Sequence, residues 1–346
     1  MRFPDFLKEN GSIGFVAPSF GCNTEPYRTA FDHALETFWR LGYRTVLGPN
    51  VYEGSGIGIS STPQSCGQEL TDGYLDENSD ILISCGGGEL MCEDLDYVDF
   101  EKIRNARPKW YMGYSDNTNM TFLLTTLCDT ASVYGPCASA FGMEPWHPSL
   151  EDAMAVLKGE KKTLTGYPLF ETDGGRDEEN PLLPYNVTQP RRIRAFLADR
   201  PADDQEIRME GRLLGGCMDC LVNLTGTVYD KVTDFAERYR GDGILWFLES
   251  CDLNVMAIRR AVWQMDHAGW FRHVKGFLIG RPLHHGEEMM GLDQYRAVTD
   301  LLAKYRVPIL MDLDIGHLPP MMPLMCGSYA SVRSRGQAFS LTQETV

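Results

Sequence analysis

Through the first half of the chain, short apolar runs alternate with helical periods. Strands separated by helices pair into a parallel sheet with helices on its faces, so the expected fold class is α/β. Ile13 to Pro18 is the first expected strand, and after Asn23-Thr24 apolar residues recur at Tyr27, Phe31, Leu35, Phe38 and Leu41 and stop at Gly42. That spacing is one face of an amphipathic helix with a glycine stop. Arg44 to Leu47 reads as a second strand, Ser61-Thr62-Pro63 as the cap and first-turn proline of a helix reaching about Asn78, and Asp80 to Cys85 as a buried strand ending in Gly86-Gly87-Gly88. Lys109 to Gly113 is a further strand and Asp116 to Leu127 a further helix.

With 346 residues, and about 150 residues per domain as a guide, two domains are expected. Between Gly166 and Pro190 the composition turns to Pro, Gly, Asp, Glu and Asn, as in a linker or long surface loop. Beyond it come a helix around Arg191, Arg192 and Arg194 whose charges meet nearby acids, strand Ile244 to Leu248, helix Asp252 to Ala268, strands Gly276 to Gly280 and Ile309 to Leu313, and a hairpin over Ser328 to Leu341.

Acidic residues number 48 against 32 basic, a net charge of −16, and a field of that sign repels phosphate backbones and anionic lipid. Nucleic acid and membrane surfaces are therefore not expected partners. The ten cysteines sit in apolar runs (Cys22, Cys85, Cys128, Cys137, Cys251) and not at framework spacings, which reads as reduced thiols. The start, Met1-Arg2-Phe3-Pro4-Asp5-Phe6, carries no signal-length apolar stretch, and a cytoplasmic location is expected.

Met112-Gly113-Tyr114-Ser115-Asp116-Asn117 puts a serine where an apolar strand yields to a helix, with glycine two positions earlier. That is the layout of a nucleophile elbow, in which the helix N-terminus faces a developing oxyanion. The second glycine of the motif is Asn117 here, and Ser115 or Asp116 can equally be a simple helix cap. Gly86-Gly87-Gly88 lets backbone amides approach a ligand, though a plain turn fits as well. Glu249 ends one apolar strand, and His317 follows another beside Gly316. A hydroxyl, a carboxylate and an imidazole at strand ends are the parts of an acyl-transfer site. Other groups point elsewhere: Cys217-x-x-Cys220 lacks a second pair for zinc, His284-His285 reads as a solvated loop, Gly54-x-Gly56-x-Gly58 as a flexible one, and Cys85 is a weaker alternative nucleophile.

Several segments together resemble the LD-carboxypeptidase family of serine peptidases, which includes the microcin C immunity peptidases. They are Gly113 to Thr118, Gly211 to Gly216 with Leu224 to Thr227, Glu249 after Trp246-Phe247-Leu248, and Gly316-His317 with Pro323-Leu324. The resemblance implies a flavodoxin-like parallel-sheet domain over 1–165 bearing the serine, a linker and variable loop over 166–205, and a smaller α/β domain over 206–346 bearing glutamate and histidine. It implies a homodimer with no metal and no cofactor. It makes Ser115 nucleophile, His317 base and Glu249 orienter, with the amide of Asp116 and one from Gly87 or Gly88 as oxyanion hole. The implied activity is release of terminal D-alanine from muropeptide tetrapeptides. A peptidase of aminoacyl nucleotide conjugates is the alternative, and a non-catalytic peptide- or sugar-binding protein lies in another class. Where family members carry an aromatic residue after the glycines and an asparagine after the second-domain glycine pair, this chain has Glu89 and Cys217, which marks both as expected substrate contacts.

Overall fold

The computed structural model describes residues 1–346. They divide into two compact units, Met1–Lys161 with Asp173–Asn186, and Lys162–Thr172 with Val187–Val346. The segment expected as a linker is thus shared out: 173–186 packs with the first unit and the remainder with the second. No helix is long and apolar enough to cross a membrane.

In the first unit the order is β1 (Ser12–Val16), α1 (Tyr27–Arg40), β2 (Arg44–Leu47), α2 (Pro63–Leu75), β3 (Ile81–Ser84), α3 (Phe100–Asn105), β4 (Trp110–Gly113), α4 (Thr118–Thr126), β5 (Ser132–Tyr134) and α5 (Pro148–Leu157). All neighbouring strands pair in parallel, in the spatial order β2-β1-β3-β4-β5. This is the flavodoxin-like order, whose switch point lies between β1 and β3 and gathers ligand-facing loops at the carboxyl ends of the strands. Local chemistry sets the boundaries: the Thr62 side chain accepts from the Ser65 amide, Pro63 opens α2, and Gly42 takes φ +89° after α1. One core cluster packs Leu70 and Tyr74 of α2, Ile103 of α3 and Met120 and Leu124 of α4 against Val16, Leu82 and Tyr111 of the strands.

The second unit holds a nine-stranded mixed sheet. Its elements are β6 (Thr163–Leu164), β7 (Leu169–Phe170), β8 (Gln189–Pro190), β9 (Arg194–Leu197), β10 (Arg200–Pro201), β11 (Ile207–Cys217), α6 (Met218–Leu224), α7 (Val232–Arg238), β12 (Ile244–Glu249), α8 (Val255–His267), β13 (Val274–Gly280), β14 (Glu288–Met289), β15 (Leu292–Asp293), α9 (Gln294–Leu302), β16 (Pro308–Leu313), β17 (Leu324–Cys326), β18 (Tyr329–Arg335) and β19 (Ala338–Glu344). The order is β10-β9-β16-β13-β12-β11-β18-β19-β6, with β11, β12, β13 and β16 parallel at its centre. The expected terminal hairpin is the antiparallel pair β18 and β19.

One expectation fails. The residues around Arg191, Arg192 and Arg194 are not helical: Arg194 begins β9, which pairs antiparallel with β16. Pro190 and the bond from the Ile193 amide to Gln337 Oε1 hold the chain extended, so tertiary pairing overrides local pattern. The charges do meet partners, Arg194 with Asp203 at 3.0 Å and Arg191 with Asp314 at 3.6 Å.

Asp94, in the 3-10 turn Met91–Tyr97, is fully buried and neither carboxyl oxygen has a hydrogen-bond partner. Burial, and then the charge of Asp116, push its pKa from 3.8 up to about 9. The folded chain therefore binds a proton that the unfolded chain has released, and stability falls as pH rises through that window. Asp94→Asn abolishes this titration. Its melting midpoint will drop less than that of the wild type between about pH 5 and about pH 8. Parallel pH profiles for the two proteins would refute the assignment.

Candidate active site

The serine singled out above occupies the turn between β4 and α4 with φ +63°, a left-handed value that costs a non-glycine residue strain and is found at functional turns. Its surroundings hold that value in place. The Ser115 amide donates to the Tyr134 hydroxyl at 3.3 Å. Asn117 Nδ2 donates to the Gly86 carbonyl at 2.7 Å and to the Tyr114 carbonyl at 3.2 Å, and Tyr111 donates to Asn117 Oδ1 at 2.5 Å. At Gly113 a Cβ would stand 2.8 Å from Asn117 Cβ, which explains the glycine two positions before the serine.

The glycine-rich loop after β3 lies against this turn. A Cβ on Gly87 would sit 3.1 Å from both Cβ and Oγ of Ser115, whereas one on Gly88 would strike Ser19 and the Gly58 carbonyl. Of the two glycines expected to supply an oxyanion donor, Gly87 is the one next to the hydroxyl. The Asp116 carboxylate, nearly fully buried, fixes the loop: Oδ2 accepts from Ser19 Oγ at 2.6 Å and from the Met91 amide at 2.9 Å, and Oδ1 accepts from Asn119 Nδ2 at 3.1 Å. Burial raises the Asp116 pKa against these donors. Glu89 is exposed, and its amide bonds to the Gly58 carbonyl at 2.9 Å, so the 54–58 loop expected to be flexible instead braces the glycine loop. Cys85 is wholly buried, and burial beside Cys22 holds its thiol well above the ordinary range, which makes it a poor nucleophile.

In the second unit, Glu249 closes β12 with 1% exposure and accepts from His317 Nδ1 at 2.8 Å. Gly316, at φ +101°, passes so close that any Cβ would collide with the Glu249 carboxylate. The loop carrying His317 is pinned by a fully buried ion pair, Arg281 to Asp314 at 2.6 Å, and Asp314 also accepts from the Tyr167 amide at 2.7 Å. Cys217 ends β11 directly opposite Glu249 in the register, and its sulfur, a Glu249 oxygen and a His317 nitrogen all lie within 4.8 Å of one another. Asp219 ties this corner together, accepting from the Cys217 thiol at 3.3 Å, the Cys251 amide at 3.1 Å and the Asp252 amide at 2.8 Å. Burial works to lower the His317 pKa, but the Glu249 charge and hydrogen bonds to Cys251 and Glu249 outweigh it and hold the ring well above 6.5. His284 and His285 stay on an exposed loop.

Sequence reading singles out Ser115, Glu249 and His317 and passes over the contacts that Tyr134, Ser19 and Cys251 make around them. Their roles arise from pairing across the fold and leave no local motif.

A parallel α/β unit with a serine in a strained strand-to-helix turn, and a second with a carboxylate-bound imidazole at its strand ends, carry the parts of a hydrolase of the peptidase class. The LD-carboxypeptidase N-terminal domain model matches residues 13–135 and the C-terminal domain model matches residues 210–332. The chain belongs to the LD-carboxypeptidase family. It is 23% identical over 346 residues to the microcin C7 self-immunity protein of Escherichia coli, covering 98% of this chain and 95% of that protein. A structure of that immunity protein with aspartyl sulfamoyl adenosine has a TM-score of 0.82 at 19% identity, covering 100% of this chain and 99% of that one. A related protein from Bacillus anthracis gives 0.80 at 22% identity, with both chains covered in full.

Two outcomes follow. Gly87→Ala crowds Ser115 Oγ without touching the core; activity will fall at least about tenfold, a loss of about 1.4 kcal/mol in transition-state binding, with the melting midpoint nearly unchanged. Equal turnover in this variant would show that Gly87 does not border the reacting group. Glu249→Gln removes the charge that holds the His317 proton and leaves burial, which acts the other way. The imidazole pKa followed by NMR will start above 6.5 in the wild type and fall in the variant. A His317 pKa that does not move would mean that Glu249 is not its partner in solution.

Proposed function

We propose that the protein is a serine peptidase in which Ser115 attacks an amide carbonyl, His317 accepts the hydroxyl proton and delivers it to the leaving amine, and Glu249 fixes the imidazole tautomer and stabilises the imidazolium. The observation that carries this reading is the Glu249 to His317 hydrogen bond at 2.8 Å, in a corner where Gly316 admits no side chain. The amides of Asp116 and Gly87 are the proposed oxyanion donors, each worth about 3 to 4 kcal/mol at the transition state. Water then releases the acyl group from Ser115. Because the imidazole must be neutral to accept a proton, turnover rises with pH through the raised His317 value.

The substrate we favour is a muropeptide tetrapeptide that loses its terminal D-alanine. The family-model match supports it, and a cytoplasmic homodimer engaged in cell-wall recycling belongs to the same reading. A second reading, hydrolysis of an aminoacyl nucleotide conjugate, is favoured by near-complete coverage of the Escherichia coli immunity protein. Incubating the enzyme with a diaminopimelate-containing tetrapeptide and, separately, with an aminoacyl sulfamoyl adenosine distinguishes them by product. A fluorophosphonate probe will label the wild type and not Ser115→Ala, and the variant will lose at least about 10⁴-fold in turnover. Labelling of both proteins, or of neither, would end the serine-peptidase reading and leave the binding-protein alternative.

A further inference from the structure

Cys217, Glu249 and His317 bring a thiol sulfur, a carboxylate oxygen and an imidazole nitrogen within 4.8 Å of one another. The three come from separate elements, the end of β11, the end of β12 and the loop after β16, and neither Cys217 nor Glu249 is more than 1% exposed. Donors around a tetrahedral zinc ion stand about 3.3 to 3.8 Å apart, so these side chains need to give by no more than about 1.5 Å. Sulfur, nitrogen and oxygen donors in threes, with a fourth position open, are the set that zinc takes in preference to calcium or magnesium, which call for oxygen alone.

We infer that this corner is an inhibitory site for a thiophilic divalent cation of the zinc type. On binding, the Cys217 thiol and the His317 imidazolium each give a proton to solvent, and the thiolate, a Glu249 oxygen and the freed His317 nitrogen ligate the ion. Whichever ring nitrogen is taken, the other carries the remaining N–H, so the imidazole keeps no lone pair for a serine proton. Metal binding and hydrolysis are therefore mutually exclusive. The inhibition rests on the serine-peptidase reading; the binding does not.

The test is titration of the chelator-treated full-length protein with Co²⁺ alone and with Zn²⁺ alone. One equivalent of Co²⁺ will give a near-ultraviolet thiolate-to-cobalt absorption that Zn²⁺ displaces. The band will be absent in Cys217→Ser and in Cys217→Asn, two variants of which either suffices if the other does not fold. It will persist in Cys92→Ser, and Glu249→Gln will weaken binding at least about tenfold. No thiolate band in the wild type, or a band that survives loss of Cys217, overturns the inference. Zn²⁺ will also arrest hydrolysis reversibly, with chelator restoring it. A protein that binds metal without hydrolysing either substrate would sink the peptidase reading alone, whereas an active enzyme indifferent to Zn²⁺ and without the band would sink this inference alone.

Discussion

Backbone amides at the carboxyl ends of parallel strands are left without ladder partners where the chain turns away, and each buried one must find an acceptor. Here carboxylates, most of them buried, supply it. Glu69 reaches from α2 to the amides of Ala17 and Asn50, binding the loops that follow β1 and β2. Asp116 binds the loop after β1, through Ser19, and the chain after β3, through Met91. In the second unit Asp219 takes the amides of Cys251 and Asp252, and Asp314 takes that of Tyr167. The sheets set the strand ends; these acids decide how the loops between them lie.

This device has an electrostatic consequence. Burial raises Glu69 to about 7, and it raises Asp116 despite the donors around it. Around Glu69 and Asp116 the donors work against burial, whereas Asp94, with no donor, is raised to about 9. The strained φ of Ser115 persists on the same terms. A left-handed serine costs of order 1 to 3 kcal/mol, and it is held by its own amide, which donates to the Tyr134 hydroxyl, and by Asn117 Nδ2, which donates to the Tyr114 carbonyl.

The strand and helix alternation of the first unit, the serine turn, the glycine loop and the strand-end positions of Glu249 and His317 were legible because each leaves a local signature: a period, a glycine, an apolar run that stops at a polar residue. What was not legible depends on register. Nothing in Ile207 to Cys217 says that its last residue will lie opposite Glu249, since a shift of one residue would turn every side chain to the other face. The helix expected around Arg191 failed for the same reason, its residues being claimed by an antiparallel partner over 110 positions away in the chain. The family resemblance supplied expected roles for Ser115, Glu249 and His317, and at Cys217, where this chain departs from the family pattern, it pointed only to an expected substrate contact.

The ion pair beside His317 shows what such placement costs and why it is kept. Arg281 and Asp314 are each 1% exposed, and a buried pair of this kind commonly contributes less to stability than well-packed apolar side chains of the same volume. Apolar replacements could not do the rest of the work. Asp314 also takes the Tyr167 amide, Arg281 gives a hydrogen bond to the Asp312 carbonyl, and its guanidinium lies over the Phe170 ring at 4.4 Å. Three separate stretches of chain are thereby fixed by directional bonds to one point, three residues before the histidine. Non-directional packing would let that loop slide by fractions of an ångström at little cost, and the Glu249 to His317 hydrogen bond, confined by Gly316, tolerates no such slack.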